Sequence, residues 1–259
     1  LLLYISWGDC MTRRFITVNT VTDYIADHIA TRLSAIALWV AVIAGLYALS
    51  LINYLSFHVA VEMFNIVVTF GVFIMVYNTR QFNSKGFLNM LGAGFLSVAI
   101  LDVLHALTYK GMGLFMGYGA NLPTQLWLVL RFVQSLTLIG ALLFKDREVN
   151  FYHLLAVYGG ITALLVGMIF GGIFPTAYIE GVGLTPFKVA SEYAIIGFSM
   201  VSIILLAIRR RELDSHVFHL LVASSAVAIV SELMFTLYSG VYDAFNLIGH
   251  YFSLISFYL

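Results

Sequence analysis

Long apolar runs alternate with short polar breaks along this chain. Eight runs of about 20 residues are long enough to cross a bilayer as helices. They cover roughly 34–54, 56–78, 87–109, 123–144, 151–173, 188–208, 216–239 and 241–259. Ahead of them, Val21, Ile25, Ile29 and Leu33 recur at helical spacing, with Asp23, Asp27, His28 and Arg32 on the other side. That pattern predicts an amphipathic helix over residues 19–33, lying at the membrane interface. The expected fold is an all-α integral membrane protein. An N-terminal arm, residues 1–33, precedes an eight-transmembrane-helix bundle over 34–259, with a tight turn around Ser239-Gly240 before the last span.

The polar positions inside the runs carry the functional signal. His58, Glu62, Asp102, His105, Arg131, Glu192, Glu232 and His250 interrupt apolar helices. Ionisable residues at membrane depth are costly and mark functional sites by default. At 1.5 Å per residue, Glu62, Asp102, Arg131 and Glu232 lie about 10–12 Å from one membrane face. Glu192 is shallower and His250 slightly deeper. Residues three, four or seven apart share a helix face. Stripes therefore run through His58, Glu62, Asn65 and Thr69; through Asp102, His105 and Tyr109; and through Thr124, Trp127, Arg131 and Ser135. Others join Glu192 to Ser199, Ser225 to Glu232, Thr236 and Ser239, and Asp243 to Asn246, His250 and Ser253. Six such stripes avoid lipid only by facing one another. Spans one and five lack a stripe and belong at the periphery. The serines, Thr69 and Asn65 are read as hydrogen-bonding links between helices.

Composition supports the membrane reading and sets the orientation. The chain is 61% hydrophobic and 10% charged, against roughly 25% charged in soluble domains. Lys plus Arg equals Asp plus Glu at 13 each, so no basic face argues for nucleic acid. Cys10 is the single cysteine, which rules out an internal disulfide and a cysteine metal site. Residues 1–10 are too short to span and are followed by no cleavage site; Met11, before Arg13 and Arg14, looks more like the natural start. Arg13, Arg14, Arg32, Arg80, Lys85, Lys145, Arg147, Arg209, Arg210 and Arg211 fall on one side of the bundle. Only Lys110 and Lys188 fall in the opposite loops. The positive-inside rule then puts both termini in the cytoplasm and opens the charged layer towards the periplasm.

With neutral histidines, Glu62, Asp102, Glu192, Glu232 and Arg131 sum to minus three. Low dielectric does not tolerate that excess, so protons, a cation or a cationic ligand must reduce it. Four chemistries fit. A transition metal would use His58, Glu62, His105 and His250, since imidazole suits zinc, copper, nickel and iron. A haem would take two of the histidines as axial ligands. A small organic ligand would set an anionic end on Arg131 and an amine on Glu62 or Glu192. Coupled histidines and carboxylates without a ligand would sense pH. No P-loop, dinucleotide fingerprint, zinc-protease helix or nucleophile elbow is present. A transporter would need a polar path through the opposite half of the membrane, where buried charge is sparse. An intramembrane enzyme acting on a lipid or quinone is the other rival.

Several short motifs carry a family resemblance: F-H-x-x-x-E at 57–62, L-D-x-x-H-x-x-x-Y-K-G-M at 101–112, W-x-x-x-R at 127–131, E-Y at 192–193 and G-H at 249–250. Together with the ending NLIGHYFSLISFYL they resemble the third type of membrane-associated sensor domain, over about residues 34–259. The resemblance implies a sensory input domain of the bacterial inner membrane. Such domains are fused to cytoplasmic histidine kinase, PAS or diguanylate cyclase modules and usually act as homodimers. It places Tyr109, Trp127 and Tyr193 beside the charged layer as candidate ligand-binding residues, with Asn246 and Glu232 added from the stripes. The chain is then expected to be the non-enzymatic input fragment of a two-component or cyclic-di-GMP receptor, relaying occupancy through its last helix.

Overall fold

The computed structural model describes residue 26 and residues 29–82, 85–115 and 117–259. Most of the interfacial helix expected over 19–33 lies outside the described residues; 29–33 form the first turns of a long helix instead. That helix, α1 (Ile29–Ile52), belongs to a unit ending at Asn53. The second unit, Tyr54–Leu259, holds α2 (Tyr54–Thr79), α3 (Gly86–Thr108), α4 (Asn121–Leu143), α5 (Phe151–Phe170), α6 (Pro186–Ile208), α7 (Ser215–Phe235) and α8 (Ala244–Tyr258).

Helix starts follow local chemistry. The Asn150 side chain accepts the Tyr152 and His153 amides at the head of α5. Thr185 caps α6 ahead of Pro186, which is pre-set for a first helical turn. Asp214 caps α7 and Asp243 caps α8.

Among the described residues seven helices, α1 to α7, are long and apolar enough to cross a membrane; α8 is not among them. Its 15 described residues run from Ala244 to Tyr258. The tight turn expected at Ser239-Gly240 is a longer connection over 236–243. Asp243 explains it. One carboxylate oxygen accepts the amides of Ser239 and Gly240, and the other accepts that of Asn246. The residues before Asp243 are thereby held out of α8.

Within the second unit, α2, α3, α4, α6, α7 and α8 form a closed ring, each packed on the next and α8 back on α2. These are the six helices that carry polar stripes. α5 packs on α3 and α4 from outside, and its buried residues are few. Close approach in the ring depends on glycine at several places, two of which show the point. A Cβ on Gly92 would sit 2.6 Å from Val76 Cγ1, and one on Gly249 would sit 2.6 Å from the Phe235 ring.

Connections cap the two ends of this unit. At one end, Lys145, Asp146, Arg209 and Glu212 form exposed ion pairs. At the other, the 109–120 and 171–185 segments meet, the second folding as a two-residue hairpin, β1 (Tyr178–Ile179) and β2 (Gly183–Leu184), with Tyr178 opposite Leu184.

Candidate metal centre

All eight ionisable residues picked out from the sequence are buried, none more than 4% exposed. They do not form one undivided site. They separate into a histidine centre and a set of ion pairs.

His58 and Glu62, one turn apart on α2, meet His105 from α3 and His250 from α8. Each offers a ligand atom, and the four atoms lie within 4.8 Å of one another. His58 Nε2 is 3.3 Å from His105 Nε2 and 3.7 Å from Glu62 Oε1. His250 Nε2 is 3.1 Å from the same Glu62 oxygen. A tetrahedral ion with ligands about 2.0–2.1 Å away spaces them by about 3.3 Å, so these edges suit a first-row metal.

Hydrogen bonds outside the centre fix which atoms face it. His105 Nδ1 is 2.8 Å from the Pro123 carbonyl, and His250 Nδ1 is 2.7 Å from the Asn246 carbonyl. A carbonyl only accepts, so both Nδ1 atoms carry the proton. Each neutral ring then presents an Nε2 lone pair inward, the arrangement by which backbone carbonyls orient metal-bound histidines. On Glu62, Oε2 accepts from the Asn65 amide at 3.1 Å, leaving Oε1 for the histidines. Glu62 Oε1 and His250 Nε2 have no hydrogen-bond partner despite their proximity. Two lone pairs cannot bond one another. The His58 ring stacks on Tyr109, centroids 3.5 Å apart, and its Nδ1 is also unpartnered. Buried polar atoms left unpaired are costly and need an explanation. Asp102 interacts with Glu62 and its Oδ1 has no hydrogen-bond partner, so that carboxyl pair needs a shared proton or a nearby cation.

The second set is charge-paired from within, although Glu192 Oε2 and Glu232 Oε2 also lack a hydrogen-bond partner. Arg131 on α4 pairs through Nε with Glu232 on α7, and its Nη1 bonds Gln134. Glu192 on α6 faces Glu232 and pairs at 2.6 Å with Lys188. Lys188 Nζ also donates to the Phe235 carbonyl at 2.6 Å. Sequence reading had put Lys188 in an outer loop. It is completely buried, in the first turn of α6. The available signal was its i, i+4 spacing to Glu192, which sets both on one face. Counting it corrects the charge of the layer: two cations against four carboxyls leave minus two, not minus three.

The remaining candidates divide. Trp127 is buried 5.4 Å from the His105 ring, and Asn246 accepts from the Tyr54 hydroxyl at 2.7 Å. Tyr109 donates to the Val241 carbonyl at 2.6 Å. Tyr193 is not brought to the cluster; it is 56% exposed. Thr236 and Ser239 likewise leave their stripe, Ser239 being exposed. Tyr54 is a contributor that sequence reading missed, standing at the helix start where no stripe includes it.

The loops close over this end. Lys110 Nζ meets Glu180 Oε2 at 2.8 Å, and Glu180 Oε1 accepts the Ala120 amide at 2.8 Å. The Lys110 hydrogen bond, then that amide, holds the Glu180 carboxyl below its usual range. Gly111, at φ +101°, makes the turn that Tyr242 ties down by donating to the Lys110 carbonyl.

Comparison with known proteins gives a family but no close relative: no curated protein and no solved structure matches. The family MASE3, membrane-associated sensor domain, matches residues 49–259, which include every residue of both buried clusters. The chain belongs to the MASE3 family of membrane-associated sensor domains, as a multi-pass membrane protein.

Proposed function

We propose that this sensor domain detects a divalent transition-metal ion held by His58, Glu62, His105 and His250. The observation that carries the reading is the set of inward-facing lone pairs on three helices, with Glu62 Oε1 and His250 Nε2 unpartnered. The corrected charge supports it, since a divalent cation brings a layer of minus two to zero. A haem is less well served: the rings pack on one another, His58 to His250 centroids being 4.8 Å apart. The cavity beside His105 and His250 is about 20 Å³, room for about one water and none for a macrocycle.

In this reading the loop-capped end faces the periplasm and the Arg209 end the cytoplasm, by the distribution of Lys and Arg. The ion would draw α2, α3 and α8 together. A tenfold output change needs about 1.4 kcal/mol of preference for one arrangement, and a near-complete switch about 5.5 kcal/mol. α8 would carry the shift to a fused cytoplasmic module, with two copies acting as a dimer.

The test is elemental analysis and cobalt or zinc titration of the purified chain in nanodiscs. One ion per chain is expected, with a tetrahedral or five-coordinate cobalt spectrum. Binding should weaken at least 100-fold in His105→Ala and Glu62→Gln. A wild-type protein that keeps no ion and takes up none would overturn the reading.

A further inference from the structure

A second cavity lies in the other half of the ring, away from the capping loops. It is about 230 Å³ and is walled by α2, α3, α4, α6, α7 and α8. It shares no residue with the histidine centre. Its exposed lining is mostly apolar, but Arg131 and Gln134 contribute to it, with six serines among the walls.

Arg131 and Gln134 define the ligand chemistry. Gln134 spends its carbonyl oxygen on Arg131, so the side of the amide left over is its N–H₂ group. A guanidinium has five N–H donors, and the bonds to Glu232 and Gln134 use two. The pair therefore offers donors and asks for an acceptor. A carboxylate head is disfavoured, because Glu232 already neutralises Arg131 and Glu192 stands beside Glu232. A neutral acceptor avoids adding a charge in low dielectric. Ser224 and Ser256 bond one another's carbonyls, so that wall makes no strong demand of its own.

Size narrows the class further. A dry cavity of about 150 Å³ accepts benzene, so this one admits a ring with substituents. We propose that the cavity binds a neutral, membrane-soluble ring carbonyl of the quinone class, its carbonyl oxygen on Arg131 and Gln134. This site stands independently of the metal.

The experiment uses the full chain in quinone-free nanodiscs, with Trp7 and Trp39 changed to Phe so that Trp127 reports alone. The Trp127 ring centroid is 5.5 Å from the guanidinium carbon of Arg131. A benzoquinone with one isoprene unit is the probe, titrated by fluorescence quenching. Saturable quenching is expected, at least tenfold weaker in Gln134→Leu and lost in Ala228→Phe, which fills the cavity. Metal uptake should be unchanged in both. Should either variant fail to fold, competition in the unaltered cavity decides. The same ring with both carbonyls replaced by hydrogen must compete at least tenfold less well, and decanoate no better. Linear quenching, equal quenching in a folded Ala228→Phe, equal competition by the carbonyl-free ring, or preference for decanoate would each overturn the proposal.

Discussion

Two clusters of buried ionisable groups lie within this ring, and they are built in opposite ways. Around Arg131, Glu232, Lys188 and Glu192, each charge has an opposite charge against it. Around His58, Glu62, His105 and His250, backbone carbonyls outside the centre orient two of the rings, His58 Nε2 meets His105 Nε2 inside it, and Glu62 Oε1 and His250 Nε2 are left without a hydrogen bond. Burial is the same in both. The presence of a fixed opposite charge is what differs, so cost at membrane depth does not by itself identify a ligand site. The lesson is to ask which atoms have been oriented and then left without a permanent counter-charge.

The contrast can be broken most sharply at the ion pairs. Glu232→Leu strands a buried guanidinium and should cost about 3–5 kcal/mol, read as loss of folded protein or a large drop in thermal midpoint. Adding Arg131→Met should recover most of it. If the single change is harmless, Arg131 is not held as a structural pair.

The histidine centre should respond the other way. His250→Leu removes orphaned polar atoms and should change metal-free stability by less than Glu232→Leu does. The wild type, but not that variant, should gain about 2.7 kcal/mol when the ion is supplied at 100 times its dissociation constant. Chelator should reverse the gain. A variant that still gains would move the ion elsewhere.

Smaller effects test the cover. Tyr109→Phe keeps the stack on His58 but removes the bond to Val241, which should cost about 0.5–1.5 kcal/mol by thermal melts at saturating and zero metal. Smallest is the Lys110–Glu180 clasp, whose exposed geometry limits it to about 0–1 kcal/mol. The Glu180 carboxyl is depressed in the folded state. Its contribution is therefore present above the ordinary glutamate range and is lost as pH falls through the folded value below it. Amide exchange at Ala120 should speed up in acid in the wild type, and Glu180→Gln should lose that dependence.

Much of this was legible in the sequence because lipid leaves few choices. Apolar length marked eight runs, of which seven are helices long and apolar enough to span among the described residues, and helical spacing picked out the six helices that close the ring. The same spacing brought His58 and Glu62 to one face and aimed His105 and Trp127 at them. What spacing does not carry is the position of a helix start. Asp243 captures the amides ahead of it, so α8 begins later than its apolar run. Lys188 sits just inside α6 because Thr185 and Pro186 begin the helix there, and a reading that started the span at residue 188 took it for loop. Nor does a stripe tell which atoms within it remain unpaired. That depended on backbone carbonyls of Pro123 and Asn246, which have no signature in side-chain identity.

The contact between Gly249 and the Phe235 ring has a mechanical meaning. Gly249 precedes His250, and its carbonyl accepts from Ser231 at 2.8 Å; Phe235 holds Lys188 through its own carbonyl. With no room there even for a methyl group, α7 and α8 mesh like gear teeth without backlash. A displacement of His250 towards α7 would press its neighbour Gly249 on the Phe235 ring.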